Sequence, residues 1–172
     1  EYMKELTRGY ESHEDLFVPG FFEIPIKKGE SIIFSAATSE QVTSTLTRKF
    51  NAEINRRPKK DCFDSCLKNA AQQFITKRGR KTEIVAGFPW FGRKGRDTFI
   101  SLPGLTLSLE DVKTCKDVLD TISKEFRDGL FPHSGSATTI SYSSADTSLW
   151  FFWTLQMYAK HTGGNVEVWK SY

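Results

Sequence analysis

Residues 146–160 read DTSLWFFWTLQMYAK, and this stretch decides how the chain must fold. Apolar side chains fall on nearly every side of the helix that the spacing predicts, so we expect it to be buried all round. Burial on every side requires neighbouring helices. The apolar periodicity predicts three of them in residues 38–57, 61–77 and 109–126, and a fourth starts near Arg96 and bends or ends at Pro103.

The amino-terminal part of the chain has a different pattern. Residues 15–36 alternate apolar and polar side chains, are rich in Phe and Ile, and contain the turn signals VPG and KKGE, which predicts two or three strands. Residues 76–81, TKRGRK, read as a loop between helices. A strand-rich start followed by helices predicts a mainly α protein with a β-rich amino-terminal segment, and thus the edge of a β domain joined to an α domain.

Composition excludes several functional classes. The 172 residues carry a net charge of +3, too small to demand a polyanionic partner. Basic clusters in residues 48–60 and 76–81 could contact nucleic acid, but interspersed acids favour a solvated face. The sequence shows no secretory signal and no apolar run of membrane-spanning length, so we expect a soluble protein without a membrane partner.

The cysteines favour a reducing compartment. There are three of them, which is neither an even disulfide framework nor a paired metal motif, so reduced thiols in the cytoplasm fit best. Cys62 and Cys66 lie one helical turn apart; they are either a redox pair or small buried residues, and we favour burial.

The loop that precedes the helix at Arg96 has the composition of a polar ligand site. Asp97 stands where this helix begins, so its commonest role would be an N-cap. Yet the guanidinium group of Arg96 offers five N–H donors beside that carboxylate. Trp90 and Phe91 supply flat ring faces a few residues earlier. A sugar hydroxyl both donates and accepts hydrogen bonds, so an Arg-Asp pair suits two adjacent hydroxyls of one ring.

Asp146 presents two alternatives that spacing alone leaves equal. It lies three residues after Ser143 at a helix start, which is the spacing of a capping box with Asp in place of the usual Glu. It also precedes the apolar run SLWFFW, where desolvation would raise the pKa of its carboxyl group. A carboxyl that stays protonated near neutral pH can act as a general acid.

Three motifs together resemble one family. AGFPWFGRKGRDTFISLPGLTL, DGLFPH and YSSADTSLWFF occur in the order and at the separations found in glycogen debranching enzymes of the archaeal and bacterial type, in their amylo-α-1,6-glucosidase part. The resemblance implies a helical (α/α)6 toroid preceded by a β-sandwich. Residues 1–37 would be the last strands of the sandwich and residues 38–172 a linker helix and the first toroid helices. Since the toroid needs twelve helices, it also implies a fragment or a short relative.

The resemblance also implies a reaction and its residues. The reaction is inverting hydrolysis of α-1,6-linked glucose in glycogen or a related α-glucan by two carboxyl groups, with no metal or cofactor. Asp146 would be the general acid, and the general base would lie beyond residue 172, so that the fragment is inactive alone. The substrate-binding residues would be Trp90, Phe91, Arg96, Asp97, His133 and Trp150.

The motifs depart from the family pattern at three positions. Lys94 stands where relatives have Trp, and His133 and Ser143 each replace an Asn, changes that would weaken sugar contacts. The alternative is therefore a noncatalytic carbohydrate-binding or scaffolding module of the same fold.

Overall fold

The chain is described by a computed structural model that covers residues 1–87, 92–135, 140–164 and 166–172. These residues divide into two compact units, Glu1–Ala52 and Glu53–Tyr172. The sequence placed a boundary earlier, after residue 37, and the assignment of residues 1–37 to a β-sandwich domain stays a prediction.

The first unit contains little regular structure. It has a short helix α1, Met3–Leu6, and a 3-10 turn, Thr43–Thr45, that leads into helix α2, Leu46–Arg56. All residues of this unit are described, and none of them forms a strand, so the strands predicted for residues 15–36 are not observed. A strand needs a neighbour to satisfy its N–H and C=O groups, and apolar side chains such as Phe17, 90% exposed, contact too little to order one.

Helices dominate the second unit, as the sequence predicted. The helix that contains Pro103, Gly95–Leu105, ends two residues after this proline, which confirms the expected effect of Pro103. The helices of this unit that follow α2 are α3 Phe63–Gln73, α4 Gly95–Leu105, α5 Val112–Ser123, α6 Asp146–His161 and α7 Val166–Ser171, with a 3-10 turn at Leu107–Leu109.

Pro103 also helps to join two helices. Proline has no N–H, so it cannot bond to the carbonyl of Phe99, four residues earlier in α4. The hydroxyl of Thr154 in α6 donates to that carbonyl at 2.7 Å instead, and Thr154 is fully buried. The gap in the hydrogen bonding of α4 is therefore filled by α6, which packs against it.

Two small antiparallel sheets complete this unit. Strands β1, Ile75–Arg78, and β2, Lys81–Ile84, form a hairpin where the sequence predicted a loop. The backbone N–H of Thr82 donates to the hydroxyl of Thr121 in α5 at 3.0 Å, so the hairpin is held by a helix distant in sequence. The second sheet has the order β3-β4-β5, with β3 Arg93–Lys94, β4 Ser134–Gly135 and β5 Ile140–Ser141.

The core lies where α4, α5 and α6 meet. Its largest buried side chains include Phe99, Leu102, Leu119, Ile122, Phe151 and Leu155. Ring contacts join Phe99, Phe131 and Phe151 at centroid distances of 4.3–5.4 Å, distances typical of favourable aromatic pairs.

The expectation that α6 is buried all round is wrong. Phe151 and Leu155 are buried, but Leu149 is 70% exposed, and Phe152 and Trp153 are also exposed. One face of the helix packs against α4 and α7, and no described element covers the other.

The expected burial of two cysteines is also wrong. Cys62 and Cys66 are exposed free thiols, because Cys62 lies at the N-cap of α3 and Cys66 one turn later on its outer face. Cys115 is buried, and desolvation raises its pKa to about 11.

Within the described ranges, no helix has both the length and the apolar character needed to cross a bilayer.

Candidate functional site

Two predicted site residues from different helices contact each other directly. Arg96 lies in the first turn of α4 and Asp146 is the first residue of α6. The guanidinium Nη1 of Arg96 donates to Oδ2 of Asp146 at 3.0 Å, and both side chains remain partly exposed. The starts of α4 and α6 thus bring a cation and a carboxylate, 50 residues apart in sequence, to one solvent-accessible point.

Gly95 allows these helix starts to approach. Its N–H donates to the carbonyl of His133 at 2.8 Å. A Cβ atom at Gly95 would lie 1.9 Å from the carbonyl oxygen of Pro132 and 2.8 Å from Cγ2 of Thr147. Any larger residue would therefore displace the backbone that precedes β4, or α6 itself, and with it the contact between Arg96 and Asp146.

The electrostatics of Asp146 differ from the sequence-based expectation. Ser144 donates a short hydrogen bond to Asp146 and Arg96 a second one, and together they lower the pKa of Asp146 below its usual value. The expected rise in pKa is therefore wrong, because the carboxyl group faces donors and solvent rather than the aromatic side chains that follow it. The carboxylate is ionised and acts as a hydrogen-bond acceptor.

The capping box predicted around Asp146 does not form. Ala145 occupies the position before α6, with no side-chain cap, and Ser143 accepts a hydrogen bond from Ser141 at 3.3 Å. Ser144, rather than Ser143, is the serine that bonds to Asp146. The Asp146 carboxylate therefore contacts Ser144 and Arg96, which lie outside α6, in addition to the backbone of Thr147.

Asp97 does not cap its helix either. The N-cap position belongs to Lys94, so Asp97 is the third residue of α4, where a carboxylate still interacts favourably with the helix dipole. Its exposed side chain lines a cavity of about 230 Å³ together with Phe74, Ile84, Val85, Ser101 and Leu105. Neither Asp146 nor Arg96 belongs to this lining, so the cavity beside Asp97 does not include the contact between Arg96 and Asp146.

The remaining predicted site residues have different surroundings. The backbone N–H of His133 donates to Ser141 at 2.7 Å, and its ring Nδ1 is buried without a hydrogen-bond partner among the described residues. Trp150 is partly buried one turn after Asp146, with its ring edge-on to Trp153 at 5.5 Å. Trp90 and Phe91 lie outside the described residues.

Sequence reasoning missed a buried ion network just before Arg96. The side chain of Arg93 is only 8% exposed and donates to Glu83 at 3.1 Å and to Glu125 through a shorter contact. These contacts join β3 to the hairpin and to the residues that follow α5. The pattern of charges along the sequence did not reveal this network, because Glu83, Arg93 and Glu125 come from three separate segments.

Replacing Arg93 with Met should lower the free energy of unfolding by about 2 kcal/mol, because two partly buried carboxylates lose their common partner. Urea unfolding of the chain measures this. Lys81→Met is the matched control, because Lys81 contacts the same Glu125 at 3.4 Å but is 61% exposed, and it should change the free energy by less than about 1 kcal/mol. Equal losses in both variants would contradict the account of this network.

No cluster of three or more metal-binding side chains occurs within the described part of the chain. A family model described as amylo-alpha-1,6-glucosidase matches residues 69–172 of the chain. No curated protein and no solved structure matches the chain significantly. The matched range includes α4, α6 and the contact between Arg96 and Asp146.

Proposed function

The chain belongs to the amylo-alpha-1,6-glucosidase family, and on this premise we propose that it is part of a glycogen debranching enzyme that hydrolyses α-1,6-linked glucose at branch points. The single observation that carries the proposal is the contact between Arg96 and Asp146 where two helices begin. It offers a fork of donors and a carboxylate to one ligand, a combination suited to the hydroxyls and the glycosidic oxygen of a sugar.

Each residue has a defined part in the proposed reaction. Arg96 and Asp97 would bind hydroxyls of the terminal glucose, and Asp146 would protonate the leaving oxygen as the general acid. Trp150, one helical turn after Asp146, would cover an apolar face of the sugar. Trp90, Phe91 and His133 remain proposed substrate contacts on the basis of the family resemblance.

An acid role requires Asp146 to acquire a proton, and in the free protein Ser144 and Arg96 disfavour this. We propose that the sugar hydroxyls draw Arg96 away from Asp146 when substrate binds. Losing that partner while water is excluded would raise the pKa of Asp146. The ion pair would then represent the resting state of the site, and the acid would form only with substrate in place.

The proposed architecture follows from the same premise. Residues 1–37 would be the end of a β-sandwich domain, and residues 38–172 a linker helix and the first helices of an (α/α)6 toroid. The exposed apolar face of α6 is consistent with a helix that has neighbours in a larger ring. The general base would be supplied downstream of residue 172, the substrate would be an α-glucan, and the enzyme would act in the cytoplasm without a cofactor.

The proposal is tested with the full-length protein on a phosphorylase limit dextrin. We expect release of glucose, with the β anomer appearing first in the proton NMR spectrum, because a two-carboxylate inverting reaction reverses the configuration. Linear maltooligosaccharide serves as the control and should yield no glucose. Release from the linear substrate at an equal rate, or no release from either, would contradict the proposed function.

One observation favours a noncatalytic carbohydrate-binding module as a second candidate. The low pKa of Asp146 makes its carboxylate ready to accept hydrogen bonds from sugar hydroxyls rather than to donate a proton. Such a module would bind glycogen in a pull-down assay and release no glucose from limit dextrin.

A further inference from the structure

A second cavity in the Glu53–Tyr172 unit is polar and belongs to no part of the proposed active site. Its volume is about 320 Å³, and it lies among the residues at and after the end of α2, helix α3, strand β1 and the start of α5. Arg96, Asp97 and Asp146 are not in its lining. A cavity of this size is at the lower end of the range that holds small ligands.

A buried amide faces this cavity. Asn69 in α3 is only 4% exposed, and it belongs to the lining of the cavity. An amide can both donate and accept hydrogen bonds. Gln72 and Gln73 add two further amides to the lining. These groups suit a ligand that carries hydroxyls or other small polar groups.

The charge of the lining is positive. Arg56, Arg57 and Lys77 contribute three cations, against a single carboxylate, Asp111. That carboxylate is already occupied as the N-cap of α5, where it accepts from the backbone N–H of Thr114 at 3.0 Å. The lining therefore has an excess of cations that favours an anion.

The cations differ in how far they are neutralised. Glu53 pairs with both arginines, at 2.9 Å to Arg56 and 2.8 Å to Arg57. Lys77 makes no ion pair with any residue that the structure describes. One carboxylate is thus shared by two guanidinium groups, so the cations of the lining exceed the carboxylates that pair with them.

We propose that this cavity binds a small hydroxylated phosphomonoester. Lys77 and Arg57 would hold the phosphate, for which a guanidinium fork and an ammonium group are suitable partners. Asn69, Gln72 and Gln73 would bind the hydroxyls, because an amide group both donates and accepts hydrogen bonds. The arginines and the lysine come from the two basic clusters of the sequence, which the fold brings to one cavity.

The test is titration calorimetry of the chain with glucose 6-phosphate at constant ionic strength. We expect saturable binding of one ligand per chain, and Lys77→Ala should weaken it at least about tenfold because a charge-assisted hydrogen bond is lost. Arg78→Ala is the matched control. It removes one positive charge from the next residue of β1, which is not in the lining, and should change the affinity less than about twofold.

Two further titrations separate the parts of the proposal. Asn69→Leu, which keeps a similar volume without an amide, should also weaken binding at least about tenfold; its melting temperature is measured to confirm that it folds. Inorganic phosphate should bind more weakly than the ester. The proposal is overturned if glucose 6-phosphate does not bind saturably, if Arg78→Ala weakens binding as much as Lys77→Ala, or if folded Asn69→Leu or inorganic phosphate binds as tightly as the wild type binds the ester.

Discussion

Replacing Asp146 with Asn in the full-length protein should reduce the rate of glucose release from limit dextrin by about 10²–10⁴-fold. Asn has nearly the same shape and can still bond to Arg96 and Ser144, but it cannot give a proton to the leaving oxygen. The loss should therefore appear in kcat, while KM changes little. The measurement is the initial rate of glucose release at several substrate concentrations.

Asp117→Asn is the matched control for this experiment. Asp117 is a surface carboxylate of α5 that pairs with Lys113 at 2.8 Å, distant in the sequence from the proposed site. This variant should keep the wild-type rate, and both variants should melt within a few degrees of the wild type. Undiminished glucose release by Asp146→Asn would remove the acid role from this residue.

Gly95→Ala should lower the free energy of unfolding by at least about 3 kcal/mol. The added methyl group would lie 1.9 Å from the carbonyl oxygen of Pro132, and a backbone atom cannot move aside as a flexible side chain does. The start of α4 would have to move away from α6, and the contact between Arg96 and Asp146 should be lost as well. Urea unfolding followed by circular dichroism measures the change.

Gly104→Ala in the same helix separates this close approach from the general effect of adding a methyl group. Apart from its chain neighbours and the backbone of its own helix, no described heavy atom lies within 4 Å of the Cβ position at Gly104. Since alanine favours helix more than glycine does, this variant should be unchanged or stabilised by up to about 1 kcal/mol. An equal change in the free energy of unfolding in Gly95→Ala and Gly104→Ala would contradict the close contact described at Gly95.

Local periodicity was sufficient to predict the longer helices. In α5, Cys115, Leu119 and Ile122 recur at helical spacing, and all three are buried. The end of α4 near Pro103 was also predictable, because the restriction that proline imposes is local. The mainly α character of the chain could thus be read from the sequence.

Features that depend on distant contacts could not be read in this way. The hairpin of β1 and β2 has a polar sequence that reads as a loop, and it is held by Thr121 of α5, whose position the local pattern does not reveal. Conversely, residues 15–36 have a strand pattern but find no pairing partner within their unit. Secondary structure at these places is decided by what the neighbouring segments supply.

The candidate site was predictable in its residues but not in its electrostatics. Arg96 and Asp146 stood out separately, because each is a charged residue at a helix start. Their contact across 50 residues was not visible, and neither was the hydrogen bond from Ser144. Without these two donors, the apolar run after Asp146 suggested a raised pKa, which is the opposite of what the structure gives.

The account depends on Asp146 as the group that protonates the leaving oxygen, and hydrolysis of α-glucosyl fluoride tests this most directly. Fluoride leaves without protonation, so a variant that lacks only the acid should still hydrolyse this substrate. We predict that Asp146→Asn in the full-length protein cleaves α-glucosyl fluoride at close to the wild-type rate while its activity on limit dextrin falls by about 10²–10⁴-fold. Equal losses on both substrates, or no loss on either, would contradict the assignment.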